Sequence, residues 1–498
     1  MLTLGKSRGL LLRNAGANVG QILVSGVALF VFYRFLLASL GPVRVGIWSL
    51  VLAATSASRI SDLGFAGSVV KFVARELSRE ERGRAAAVME TGVIATGAMV
   101  GGVALALLPL IAWALPRFIT QQALAEAIQI LPWSLASMWL GAIGATSQAG
   151  LDGSLRADLR ALVVTIGNLA FVGLGVLLVR PYGLLGLAWA QVAQGACVAA
   201  ASWLLLRRQL PGLSILPRCF DIPLLKELIR YGASFQLVSF ATMLLDPTTK
   251  FMMARFGTLD LVGYFEMANR VVSQLRGIVV GAIQVLVPVI ARLHEGARDQ
   301  VGRVYLKSYR LVWFVALPFF GLIAVAIPLL SWYLNGAPVS SFMVIAELTN
   351  LGWGVNILIV PAYFANLGTG DLRWNTISHI VVGVLNILLG FALGMIGGGV
   401  GVVAGWSLAF ILGTAVLAIG FARTSGVPIG HMLPEGTPVP ALLTLLVAAL
   451  GTIVAAGLGP WSPSWQVALF GLLASVVVMA GVAWWNPERR HFLHILRG

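Results

Sequence analysis

The sequence predicts an all-α polytopic membrane protein of fourteen transmembrane helices, built as two six-helix lobes in a parallel pseudo-twofold repeat plus a terminal helix pair, with both termini cytoplasmic. Three observations carry that prediction: composition, the placement of the charges, and an internal repeat. Of 498 residues 58% are hydrophobic and only 11% charged, with a mean hydropathy of +0.91. Soluble chains run at about 45–50% apolar and about 25% charged residues, so an ordinary soluble globular protein is excluded. At roughly 20 apolar residues per crossing, the length is consumed by helices, which leaves no expectation of a separate soluble catalytic domain.

Apolar runs bounded by charges, glycine and proline place crossings at about 14–40, 46–70, 87–113, 124–150, 158–179 and 182–206. After a basic stretch come 230–256, 263–291, 310–333, 342–368, 374–393, 397–421, 439–458 and 465–485. The first run is too long for a signal-peptide core and lacks a small-residue cleavage site, so it reads as a retained helix. The two cysteines, Cys197 in an apolar run and Cys219 in the basic stretch, exclude a disulfide framework and a CxxC metal site. No metal and no cofactor is expected.

The net charge of +15 is resolved by position. With the N-terminus in the cytoplasm, the inner connections hold 25 of the 34 Lys and Arg residues, among them Lys71, Arg75, Arg156, Arg207, Arg208, Arg218, Lys226 and Arg230. The outer connections hold only Arg44, Arg117, Arg180 and Arg255. Such a bias orients a helical bundle and argues against nucleic-acid binding. The multi-pass chain is assigned to the cell inner membrane.

Comparison of the chain with itself gives recurrent matches at one spacing. Gly41 pairs with Gly257 at 216, Arg13 with Arg230, Gly46 with Gly263, Gly153 with Gly370 and Arg156 with Arg373 at 217, and Asn168 with Asn386 at 218. A duplication of a six-helix unit follows, dividing the chain into an N-lobe at 1–206, a basic cytoplasmic linker at 207–229, a C-lobe at 230–423, and the last two helices with the tail at 424–498. Two lobes running the same way are expected to enclose a cavity that opens alternately to each side.

The chain also resembles the Wzx-type polysaccharide transporters, lipid-linked oligosaccharide flippases of the multidrug/oligosaccharidyl-lipid/polysaccharide exporter superfamily. The residues that carry the resemblance are Leu40-Gly41-Pro42, Gly46-Ile47-Trp48, Ser61-Asp62-Leu63-Gly64-Phe65 and Lys71-Phe72-Val73-Ala74-Arg75, together with the helix layout. The resemblance implies export of a polyprenyl-pyrophosphate-linked oligosaccharide to the outer leaflet for cell-surface polysaccharide, with membrane lipids and other polysaccharide assembly proteins as partners.

A charge near the bilayer centre costs roughly 2.5–3.5 kcal/mol on insertion scales, so each in-helix cation needs a partner or a wet cavity. These cations are Arg34, Arg59, Lys250, Arg270 and Arg276, and the repeat pairs Arg34 with Lys250 and Arg59 with Arg276. Guanidinium groups suit a pyrophosphate headgroup, which accepts bidentate hydrogen bonds. Arg59 and Arg276 lie nearest mid-depth, and Arg276 has no acid three or four residues away. For Arg59 beside Asp62, Lys250 beside Asp246 and Arg270 beside Glu266, simple ion pairing on one helix face is the alternative. Arg34 has the alternative of snorkelling to the interface.

The acids Asp62, Asp246, Glu266 and Glu347 are candidates for H+ or Na+ coupling, Glu347 foremost because its own helix face carries no cation. Pro247, beside Asp246, is the candidate hinge, and Trp353, Asn356 and Tyr264 are placed to contact sugars. No catalytic residue is expected. The outer connections are short and nearly charge-free, which argues against a membrane glycosyltransferase or polymerase, and no Walker motif is present. A cation-coupled multidrug antiporter of the same superfamily is the main rival.

Overall fold

The structure, a computed structural model, describes residues 4–56, 65–233, 236–284, 298–426 and 465–485, with single positions between 286 and 293 and at 446 and 449. The described residues are helical almost throughout, because backbone groups facing lipid find partners only within a helix or a closed barrel. In chain order the helices are α1 Leu4–Ser56, α2 Phe65–Ser78, α3 Arg82–Ala114, α4 Gln121–Gly153, α5 Ala157–Gln209, α6 Ile222–Ala233 and α7 Gln236–Phe256. They continue with α8 Leu259–Ile283, α9 Arg298–Asn335, α10 Ser340–Leu358, α11 Val360–Thr369, α12 Arg373–Ser425 and α13 Trp465–Trp485. Seven of the described helices are long and apolar enough to cross a membrane. The 53-residue helices α5 and α12 each carry two of the predicted crossings, and α1 carries the first crossing and the start of the second.

Each of these three long helices is folded back at a glycine rather than ended. Gly41 in α1, Gly183 in α5 and Gly398 in α12 have φ of 75°, 56° and 60°, with ψ of 166°, −131° and −147°. Those dihedrals are open only to glycine at reasonable cost. The hairpins then close tightly: a Cβ on Gly186 would collide with the Leu178 carbonyl, and one on Gly401 with the Leu393 carbonyl. Both glycine and carbonyl are related by 215 residues. The next contact repeats at the same spacing with the small and large partners exchanged, Gly167 against Val198 and Gly413 against Val382. The duplication is therefore visible in packing. Its register through this pair is 215, so the Asn168–Asn386 match at 218 does not join equivalent positions.

Contacts divide the chain into two compact units, Met1–Arg255 and Phe256–Gly498, so that α7 falls with the first six helices. In the first unit, Val69, Phe72, Met89, Leu206, Leu210, Leu213 and Leu228 form one buried cluster that ties α2, α3, the end of α5 and α6 together. The second crossing, expected to end near residue 70, has its helix running on to Ser78. The cations expected to stop it are accommodated, with Lys71 Nζ 3.7 Å from the Tyr231 ring and Arg75 stacked on Phe72 and bonded to Glu227 at 3.0 Å. Residues 57–64, which include the rest of that crossing, lie outside the described set.

The linker expected at 207–229 is not a plain tether. Its last third enters α6, and its backbone is fastened to α3 by the buried Glu90, whose carboxylate accepts the backbone N–H groups of Ser214 (2.9 Å), Arg218 (2.8 Å) and Cys219 (2.6 Å). Trp203 Nε1 donates to the carbonyls of Ser214 and Ile215, and Arg207 Nε to that of Leu213. Arg156 reaches Gln209 and Arg75 reaches Glu227, so the connections assigned to the inner side do meet at one end of this unit. At the other end Arg44, assigned outside, pairs with Glu126 at 2.8 Å.

In the second unit α8 and α12 pack against α10, and a buried cluster joins Val272 of α8, Ile357 of α10 and Val360 and Phe364 of α11 to Val312, Ala316 and Phe320 of α9. The crossing expected over 342–368 is interrupted at Ile359, where Pro361 cannot continue the hydrogen-bond ladder and instead starts α11. The crossing expected at 439–458 lies outside the described residues except for two helical positions, and that expected at 465–485 coincides with α13.

Gly183→Ala, at a site with no atom within 4 Å of the added Cβ, isolates backbone strain and is expected to cost about 1–3 kcal/mol. Gly173→Ala, equally open but in regular helix, is expected to cost nothing. Thermal unfolding of the purified proteins in detergent checks the contrast. Glu90→Leu strands three backbone donors at about 1–3 kcal/mol each. Trypsin is expected to cut at Arg218 and Lys226 much faster in that variant than in the wild type.

Candidate functional site

In the second unit Arg276 lies among apolar helices, and no ion pair to it occurs among the described residues. Arg276 sits two turns after Asn269 on the same face of α8, and facing it on α10 are Trp353 and Asn356, one turn apart. The Arg276 guanidinium lies over the Trp353 ring, 4.5 Å from its centre, while Nη2 donates to Asn356 Oδ1 at 2.8 Å. Trp353 is fixed in turn by its indole N–H, which donates to Asn269 Oδ1 at 2.8 Å, and by ring contacts with Trp406 (5.5 Å) and Phe410 (4.7 Å) of α12. Three helices thus position one side chain.

Among the described residues, the contacts to that guanidinium are with neutral groups, Trp353 and Asn356. Its Nε is buried without a hydrogen-bond partner among them. A cation–π contact returns about 0.5–2 kcal/mol and a hydrogen bond to a charged group about 1.5–3 kcal/mol, which offsets the insertion cost without cancelling the charge. His379 of α12, packed edge-on against Tyr363 at 5.7 Å, lies within electrostatic reach and adds no negative charge. The arrangement is a preorganised cation with a free donor, suited to binding an anion of phosphate type.

The other sequence candidates separate into groups. Lys250 and Asp246 form an ion pair of 2.6 Å on α7, with the lysine buried. Arg270 and Glu266 form one of 2.7 Å on α8, with the carboxylate buried and the arginine exposed. Both are the intrahelical pairs that their spacing allowed. Arg34 is an exposed residue of α1, and Glu347 is half-buried on α10. Pro247 is buried within α7, which runs through it without a break. Arg59 and Asp62 lie outside the described residues. Tyr264 is buried against Phe342 in the core of the second unit.

Sequence reading found Arg276 through its lack of a nearby acid and noted Trp353 and Asn356 only as sugar contacts. It missed Asn269 and His379. The seven-residue spacing of Asn269 and Arg276 on an apolar helix was the available signal for the first; nothing local marks the second.

The sequence matches the polysaccharide biosynthesis protein family over residues 11–294, more than half of the chain. No curated protein matches it. Among solved structures, the fold is similar to that of the lipid II flippase MurJ in an inward closed conformation, at 15% identity over 94% of this chain and 97% of that one, with a TM-score of 0.72. It is similar also to an inward-facing multidrug resistance MATE family transporter of the MOP superfamily, at 14% identity over 83% of this chain and 98% of that one, with a TM-score of 0.70. An outward-facing MATE structure matches at 14% identity, 84% and 96% coverage, and a TM-score of 0.56. At these identities the likeness establishes the fold.

Proposed function

From the premise that this chain belongs to the polysaccharide biosynthesis protein family, we propose that it is a flippase moving a polyprenyl-pyrophosphate-linked oligosaccharide from the cytoplasmic to the outer leaflet. The observation that carries the reading is Arg276, a half-buried guanidinium held by Trp353 and Asn356, whose buried Nε has no hydrogen-bond partner among the described residues. A pyrophosphate supplies the missing negative charge and several acceptors, and it needs a polar path through about 30 Å of hydrocarbon. The polyprenyl chain stays in lipid. In this reading Arg59, its partner by the duplication, supplies the matching cation of the first lobe, and Trp353 and Asn356 hold Arg276 in position rather than serve as the first contact for sugar.

Translocation proceeds by alternating access, a mode in keeping with the inward-facing and outward-facing MATE structures that share the fold. Coupling to H+ or Na+ is assigned to Glu347, a half-buried carboxylate on α10 of the same unit as Arg276. The multidrug antiporter reading is weaker: its cationic drugs call for available acids, and the site defined here is cationic.

Arg276→Ala is expected to lower transport by roughly 10- to 100-fold, the loss of one or two charge-assisted hydrogen bonds, without loss of membrane insertion. Asn356→Asp is the sharper variant. It places a carboxylate where the 2.8 Å contact now stands, so the protein is expected to melt at a higher temperature while transport fails, because Arg276 is already neutralised. Complementation of a flippase-deficient strain reads the activity. Full complementation by both variants overturns the assignment.

A further inference from the structure

The stretch between α5 and α6 presents large apolar side chains to the outside from a backbone that is not helical. Ile215 is 68% exposed, Leu216 66%, Phe220 47% and Ile222, at the start of α6, 56%. Exposed apolar residues on the long helices of this protein are explained by lipid tails around them. That explanation fails here, because irregular backbone open to hydrocarbon leaves polar groups unsatisfied. Nor is the segment a loose loop whose side chains settle at random. Glu90 holds the N–H groups of Ser214, Arg218 and Cys219, Trp203 and Arg207 hold the carbonyls of Leu213, Ser214 and Ile215, and Asp221 N–H bonds Thr91. The backbone is held from beneath at these points, and the apolar side chains are what it displays.

The surrounding charge selects the environment. Exposed Arg208, Arg218, Lys226 and Arg230 flank the apolar group. Of the two nearby acids, Glu227 is already paired with Arg75, and the backbone N–H of Leu224 bonds to Asp221. Apolar side chains rimmed by cations, on a surface where irregular backbone is tolerated, match the headgroup and upper-acyl layer of a negatively charged leaflet. The end of the unit is the one to which the basic connections belong, the side that faces anionic lipid in a positive-inside protein.

We propose that residues 213–230 form an anionic-phospholipid docking surface, in which Ile215, Leu216, Phe220 and Ile222 enter the lipid interface while Arg218, Lys226 and Arg230 engage phosphate groups. The partner is a bulk anionic phospholipid, distinct from the transported molecule, and the assignment is independent of the role of Arg276. By seating the segment between α5 and α6, the surface makes that end of the first unit sensitive to leaflet charge.

The test uses the full-length protein with Cys197→Ser, Cys219→Ser and Leu216→Cys, spin-labelled and placed in nanodiscs of phosphatidylcholine alone or with phosphatidylglycerol. The label is expected to collide with oxygen and be shielded from a water-soluble nickel chelate, and to lie deeper when phosphatidylglycerol is present. Native mass spectrometry of the otherwise unaltered protein gives the second reading. Arg218→Gln and Lys226→Gln are expected to reduce retained phosphatidylglycerol by roughly fivefold per charge removed. A label open to nickel in both lipids overturns the proposal. So does one shielded from both reagents, which marks a protein partner or a second copy, and so does unchanged lipid retention in the glutamine variants.

Discussion

An arginine among apolar helices, with no carboxylate paired to it among the described residues, is the constraint on which the functional reading rests. Arg276 costs free energy where it stands, and the second unit spends three helices on holding it. Asn269 and Arg276 line one face of α8, Trp353 and Asn356 answer from α10, and Trp406 and Phe410 of α12 brace the indole. The fold elsewhere neutralises its intramembrane charges cheaply, by ion pairs four residues apart at Asp246–Lys250 and Glu266–Arg270. That contrast separates a charge that is stored from one that is displayed.

The scaffold depends on a second constraint, the glycine hairpins. Chains of 53 residues cross, turn and return without a loop because Gly183 and Gly398 occupy dihedrals closed to other residues and Gly186 and Gly401 let the two arms touch. The exchange of Gly167–Val198 for Val382–Gly413 leaves a glycine packed against a valine at the same spacing in both units. It is the contact that is retained, with either partner free to be the small one.

Much of this was legible in the sequence. Apolar length marked the long helices α3, α4 and α9 and the two arms of α5 and α12, since it is set by the bilayer rather than by neighbours, and the spacing of Asp246, Lys250, Glu266 and Arg270 allowed the pairing that is the alternative to a headgroup role. Less legible were features that need a tertiary partner. The charges of Lys71 and Arg75 read as the end of a helix, yet Tyr231 and Phe72 receive them and the helix continues. Glu90 carried no signal, because its partners are backbone groups more than 120 residues away. His379 was silent for the same reason, and Asn269 was marked only by its seven-residue spacing from Arg276: a polar residue in an apolar run says that a partner exists without saying which.

The measurement that tests the central claim most directly is binding of a polyprenyl-pyrophosphate lipid to the purified protein, read by native mass spectrometry in wild type, Arg276→Lys and Arg276→Gln. A displayed cation that engages pyrophosphate predicts that the glutamine variant, folded by its melting profile, loses the bound lipid by roughly tenfold or more, with the lysine variant between the two. Equal retention of the lipid by all three proteins would contradict it.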